Sequence, residues 1–98
     1  MANYNLTPEA DADLSEIWDY TDRNWGRNQA RRYLTQLENR IGVLAEKPGL
    51  GRMRHDIPGE PMSYHECRHV IFYRTSAEGI EVLRVLHDVM DFPRHFGG

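Results

Sequence analysis

The chain has 98 residues, 28% of them charged, a formal net charge of −3 and a mean hydropathy of −0.69. That length suits one domain over 1–98 with a single core and leaves no room for a large substrate cleft, so function is expected on a surface or with a partner. A lone cysteine, Cys67, excludes an internal disulfide framework, no apolar run reaches bilayer-spanning length, and "MANYNLTPEADADL" lacks the character of a leader, so a cytoplasmic protein is expected.

Tyr4 and Leu6 fall on one side of a short alternating stretch that gives way to a helix start. Thr7 suits the N-cap, Pro8 the first helical position and Glu9 the positive end of the helix dipole. Ala10, Leu14, Ile17, Trp18, Thr21 and Trp25 then make one stripe at the helical period, which places both tryptophans in the core, with Gly26 as the stop. Asn28 is the expected cap of a second helix, whose stripe is Tyr33, Leu34, Leu37, Ile41, Leu44 and Ala45, and "EKPGLG" ends it. The short link makes these helices an antiparallel hairpin.

The second half changes period. "RMRHDIPGEPMSYHE" reads as a strand broken by an irregular loop, "RHVIFYR" and "IEVLRVLH" as strands joined through "TSAEG", and "MDFPRHFGG" as at most one helical turn. Phe72 and Tyr73 point to opposite sheet faces, so one of them needs a cover other than the helices. The expected fold is α+β: a short N-terminal strand and a two-helix hairpin packed on one face of a three- or four-stranded, mainly antiparallel sheet.

Charge is distributed unevenly. Residues 1–22 hold six acids and no base, whereas residues 23–54 hold eight bases against two acids, and all but one of the chain's bases are Arg. Either the two helices attract each other, or the second carries a functional basic face.

His87 is the first chemical candidate, because a histidine at a strand end can act as general acid or base, with Arg52, Arg54 and Arg68 as phosphate-stabilising cations. The period of two sets it on the face opposite Arg84. The competing reading is a polar residue where a strand runs out. "HECRH" would present His65, Cys67 and His69 on one face of a regular strand as zinc ligands, but a turn is the expected conformation there, and neither metal nor cofactor is expected. "GLGRMR" follows a helix instead of preceding one, unlike a phosphate loop, and no nucleophile elbow occurs.

"YNLTPEADADLSEIWDYT", "WGRNQARRYLTQLENRIGVLAEKPGLGRMRHDI" and "RHVIFYRTSAEGIEVLRVLHDVMD" together closely resemble ParE-type toxins of bacterial toxin–antitoxin modules. The resemblance covers almost the whole chain and implies the compact α+β fold of the RelE/ParE superfamily. It further implies a non-enzymatic toxin that inhibits DNA gyrase and is neutralised by a ParD-like antitoxin. The alternative is a ribosome-dependent mRNA endoribonuclease of RelE or HigB type. Arg52, Arg54, Arg68 and His87 stand where a nuclease-type relative places candidate groups, without the Lys-rich loop or terminal Tyr that would complete them. No membrane association is expected, nor sequence-specific nucleic-acid binding by this chain alone. Cys67 occupies a position where the family pattern has Gly, so a tight turn with positive φ would be uncomfortable there. Expected antitoxin contacts are Arg31, Arg52, Arg54, Phe72, Tyr73 and Arg74; expected target contacts lie beyond the last strand, at Met90, Asp91, Arg94 and His95.

Overall fold

A computed structural model describes residues 2–96; Met1 lies outside the described residues, as do Gly97 and Gly98 at the end of the expected C-terminal turn. Strand β1 (Asn3–Leu6) leads into helices α1 (Pro8–Trp25) and α2 (Arg27–Glu46), followed by β2 (Arg52–Met53), β3 (Met62–Glu66), β4 (His69–Ser76) and β5 (Gly79–His87). Short 3-10 turns span Pro48–Leu50 and Phe92–His95. The sheet order is β1-β5-β4-β3-β2, with β1 parallel to β5 and the other pairs antiparallel.

The α+β expectation holds, but the sheet has five strands, not three or four. The proline- and glycine-containing loop divides the expected broken strand into β2 and β3, and β1 joins the far edge of β5. There the chain comes so close that a Cβ on Gly79 would lie 1.8 Å from the Asn3 carbonyl oxygen, which leaves room only for hydrogen.

Thr7 caps α1 as its sequence suggests. Its hydroxyl oxygen accepts from the Ala10 amide at 3.0 Å and donates to the Leu83 carbonyl at 2.8 Å, fixing the helix start to β5. The second helix begins two residues earlier than expected, at Arg27, and Asn28 is not its cap. Gly26, at φ +92°, serves as the C-cap of α1 and the N-cap of α2, so a single residue in a left-handed conformation turns the chain.

Two apolar clusters sandwich the sheet. Leu14, Ile17, Leu34, Leu37, Ile41 and Leu44 from the helices meet Ile71, Tyr73, Ile80, Val82 and Val85 from β4 and β5 on one face. On the other, Ile57, Val70, Phe72 and Leu86 are covered by Phe92 and Phe96, whose ring centroids each lie 5.0 Å from that of Phe72. The cover that one of Phe72 and Tyr73 was expected to need is thus supplied by the chain's own C-terminal segment. Both residues are 0% exposed, so neither offers surface to an antitoxin, and both drop out as contact candidates. A register shift between Phe72 and Tyr73 skips Leu83 in the pairing with β5, the unpaired residue of a β-bulge.

Beyond the end of β1, the carboxylate of Asp13 takes over as partner of β5. It accepts from the Val85 amide at 3.0 Å and from the Arg84 guanidinium at 2.8 and 2.9 Å, while only 8% exposed. An acid on the inner face of α1 therefore extends the parallel edge with side-chain hydrogen bonds.

Trp25 departs from expectation. Trp18 is half-buried against the helix-side core, but Trp25 is 64% exposed. The stripe continues to the last residue of α1, yet the sheet does not reach that far.

Candidate functional site

His87 lies on the helix side of the sheet, opposite His69 in the β4–β5 ladder. The two rings meet edge to face with centroids 5.2 Å apart, and His69 Nδ1 is hydrogen-bonded to the hydroxyl of Tyr33 on α2. Burial, reinforced by His87, lowers the His69 pKa from 6.5 to about 4, and burial raises that of Tyr33 to about 12. Both are therefore neutral near pH 7, and the tyrosine hydroxyl and the histidine nitrogen share a hydrogen bond whose donor is set by the imidazole tautomer. The Val89 amide donates to His87 Nδ1 at 3.3 Å, so in the neutral ring this nitrogen is an acceptor and cannot also donate to the nearby Asp88 carboxylate. His87 thus packs against the hydrogen-bonded Tyr33–His69 pair that pins α2 to the sheet end.

The depressed His69 pKa has a measurable consequence. Between pH 6.5 and about 4 the unfolded chain takes up the His69 proton and the folded chain does not, so stability falls as the pH drops through that window. His69→Gln retains an acceptor for Tyr33 but cannot titrate. Its urea midpoint is expected to decline less steeply than wild type over the same window, and parallel pH profiles would refute this account.

The other candidate nuclease groups are dispersed. In the register, Arg52 aligns with Ser63, Phe72 and Arg84 on the face away from the helices, whereas His87 aligns with His69 on the helix face. Arg54 binds the Asp56 carboxylate through two hydrogen bonds of 2.9 and 2.7 Å, and its guanidinium lies 5.4 Å from the Phe92 ring centroid. That pairing holds Asp56 at a pKa of about 2. Arg68 is exposed in the β3–β4 turn.

The "HECRH" segment forms that turn, as expected. His65 ends up on the open face beside Val70 and bonds Asp88 at 3.1 Å, while His69 faces the helices. Among the described residues no group of three His, Cys, Asp or Glu side chains converges as a metal site. Cys67 has φ +54°, the left-handed conformation in which a glycine would be at ease. From α2, Gln36 donates to Glu66 and to Cys67 Sγ, and Arg40 to Glu66, clamping the strained turn.

Two grooves flank this framework. One, of about 440 Å³, runs between β1 and the helical hairpin, with Leu6, Leu14, Trp18 and Leu34 as apolar lining and Arg31, Asp11 and Glu38 as charged lining. The other, of about 550 Å³, lies on the open sheet face and is lined by Arg52, Arg54, Ser63, His65, Val70 and Phe92. Of the expected antitoxin contacts, Arg31 belongs to the first groove, Arg52 and Arg54 to the second, and Arg74 is ion-paired with Glu81. The expected target contacts Met90, Asp91, Arg94 and His95 are exposed on the C-terminal segment that Phe92 and Phe96 hold to the sheet. Among the described residues no ion pair within 4.0 Å joins α1 to α2.

Residues 4–92 match the family described as ParE toxin of type II toxin-antitoxin system, parDE. The chain belongs to the ParE toxin family. It is 37% identical to Toxin ParE1 of Caulobacter vibrioides over 99% of this chain and all of that protein. It is also 41% identical to Toxin ParE1 of Mycobacterium tuberculosis over 96% of this chain and 97% of that one. Toxin ParE of Escherichia coli is 39% identical over 93% of this chain and 89% of its own length. A solved structure described as the chromosomal ParDE TA system from P. aeruginosa has a TM-score of 0.73 and covers 89% of this chain and 96% of that one; at 21% identity it supports the fold. The chain is accordingly a ParE-type toxin component of a type II toxin–antitoxin system, and the family implies an antitoxin partner. No helix among the described residues is long and apolar enough to cross a membrane.

Among features of this ParE-type chain that sequence reasoning missed, Asp13 is the most instructive. Its spacing of three from Ala10 and four from Ile17 puts it on the buried face of α1, and that position was the available signal.

Proposed function

We propose that this toxin acts by binding, without catalysis, with DNA gyrase as its target and a ParD-like antitoxin as its inhibitor. The observation that carries the reading is the dispersal of Arg52, Arg54, Arg68 and His87, two of which line the open sheet face while His87 is committed to the helix face. General acid–base cleavage of RNA needs its proton-transfer group and phosphate-binding cations around one reacting centre.

The antitoxin seat in this reading is the groove beside β1. That strand has an unpaired outer edge, and the groove beside it has an apolar lining with Arg31 among its charged groups. An extended or helical segment could satisfy the strand edge or bury the apolar lining, with an acidic side chain meeting Arg31. Target binding is assigned to Met90, Asp91, Arg94 and His95, which project from the C-terminal segment away from that groove's lining.

The experiment is a supercoiling assay with purified gyrase run beside in vitro translation. Supercoiling is expected to be inhibited and translation to proceed normally, with inhibition relieved by the co-expressed antitoxin. Blocked translation that His87→Ala restores, in a folded variant, would overturn the proposal in favour of ribonuclease action.

A further inference from the structure

The fold uses only one nitrogen of the His69 ring and one of the His87 ring. His69 Nδ1 is bonded to the Tyr33 hydroxyl, and His87 Nδ1 accepts from the Val89 amide at 3.3 Å. Neither Nε2 has a hydrogen-bond partner among the described residues, yet no buried side-chain nitrogen or oxygen there is left unbonded, so both Nε2 atoms are within reach of water. Neither histidine lines the groove beside β1 or that on the open sheet face.

The backbone brings these two rings together. His69 and His87 are directly opposite in the β4–β5 ladder, and one residue outside them the Asp88 amide donates to the Arg68 carbonyl at 2.9 Å. A bond in that position makes the pair a non-hydrogen-bonded one, the kind in which opposed side chains stand closest. An ion bonded to an imidazole nitrogen at about 2.0–2.1 Å lies roughly 3 Å from the ring centre, so centroids 5.2 Å apart suit two rings on one ion. The His87 side chain is 35% exposed, which leaves the ion's remaining positions to water. The Asp88 carboxylate, 3.3 Å from His87 Nδ1, supplies negative charge beside the pair.

We propose that His69 and His87 chelate a divalent transition-metal ion, zinc or nickel, through their Nε2 atoms, with water completing its coordination. Imidazole nitrogen selects such ions over magnesium and calcium, which take oxygen ligands. Ligation needs a lone pair on each Nε2, so each Nδ1 must carry the ring proton. His69 Nδ1 then donates to the Tyr33 hydroxyl, and His87 exchanges its contact with the Val89 amide for one with the Asp88 carboxylate, which lies at the same distance. An oxygen acceptor on the second nitrogen is what fixes the tautomer and orientation of a metal-bound histidine. Two side-chain ligands make an open site and not a closed structural centre. The ion staples the ends of β4 and β5 together.

The test is a calorimetric titration of the whole chain with nickel, zinc and magnesium chlorides in a buffer that does not coordinate metal, with melting curves recorded alongside. Expected are one nickel ion per chain and a melting temperature raised by nickel and zinc but not by magnesium. His69→Gln and His87→Gln should each weaken nickel binding by about tenfold or more, while His65→Gln and Cys67→Ser leave it intact. Ring nitrogen spectra of wild-type chain carrying nitrogen-15 histidine give a reading that depends on no variant: zinc should shift Nε2 of His69 and His87 together. No saturable nickel binding, binding that survives loss of either histidine, binding lost in His65→Gln or Cys67→Ser, or zinc shifts confined to other histidines would each overturn the proposal.

Discussion

Asp13→Ala is expected to lower the unfolding free energy by about 3–5 kcal/mol, the cost of leaving a largely buried charge unpaired. The carboxylate accepts from Arg84 Nε at 2.8 Å, from Arg84 Nη2 at 2.9 Å and from the Val85 amide at 3.0 Å. After truncation the guanidinium retains the His95 carbonyl at 3.2 Å, and the Val85 amide loses its acceptor. For a domain of this size that is a large share of a total of roughly 5–15 kcal/mol. Urea unfolding measures it directly. Asp13→Asn keeps an oxygen for Val85 and should lose visibly less, so equal losses for Ala and Asn would show that the ion pair, and not the amide contact, holds this edge.

The second large effect is expected at the C-terminal segment. Phe92→Ala with Phe96→Ala removes two half-buried rings packed on Phe72 and the partner of the Arg54 guanidinium, at a cost of about 2–4 kcal/mol. Phe72, Val70 and Leu86 would then face water, so the variant should bind an apolar dye that wild type does not. The same substitution releases Met90, Asp91, Arg94 and His95 from their positions. Gyrase inhibition should fall with it, while capture by an antitoxin seated beside β1 should persist. A variant as stable as wild type would show that the segment is not held as described.

Legibility from sequence varied with the range of the forces involved. The start of α1 was readable because Thr7, Pro8 and Glu9 act within one turn, and the helical stripes were readable because their period is local. Trp25 obeyed the same period and was misplaced, since its fate depends on how far the sheet extends beneath the helix. The division of β2 from β3 was hidden because a two-residue strand, Arg52–Met53, has too few positions to show alternation. Phe72 and Tyr73 were correctly set on opposite faces. What the period of two could not reveal is that Phe92 and Phe96, twenty or more residues later, would cover one of them. Asp13 and the Tyr33–His69 contact each join groups far apart in the chain, and only their placement on inward faces hinted at them.

The pairing of β1 with β5 also sets the order in which the fold can close. Residues 3–6 have their only sheet neighbour at residues 79–82, and Thr7 and Asp13 bond Val82, Leu83 and Val85. A chain made only through β4 lacks β5, the strand on which its first thirteen residues close, and such distant pairings form late. β5 must therefore have been made before β1 and the start of α1 can take their native places.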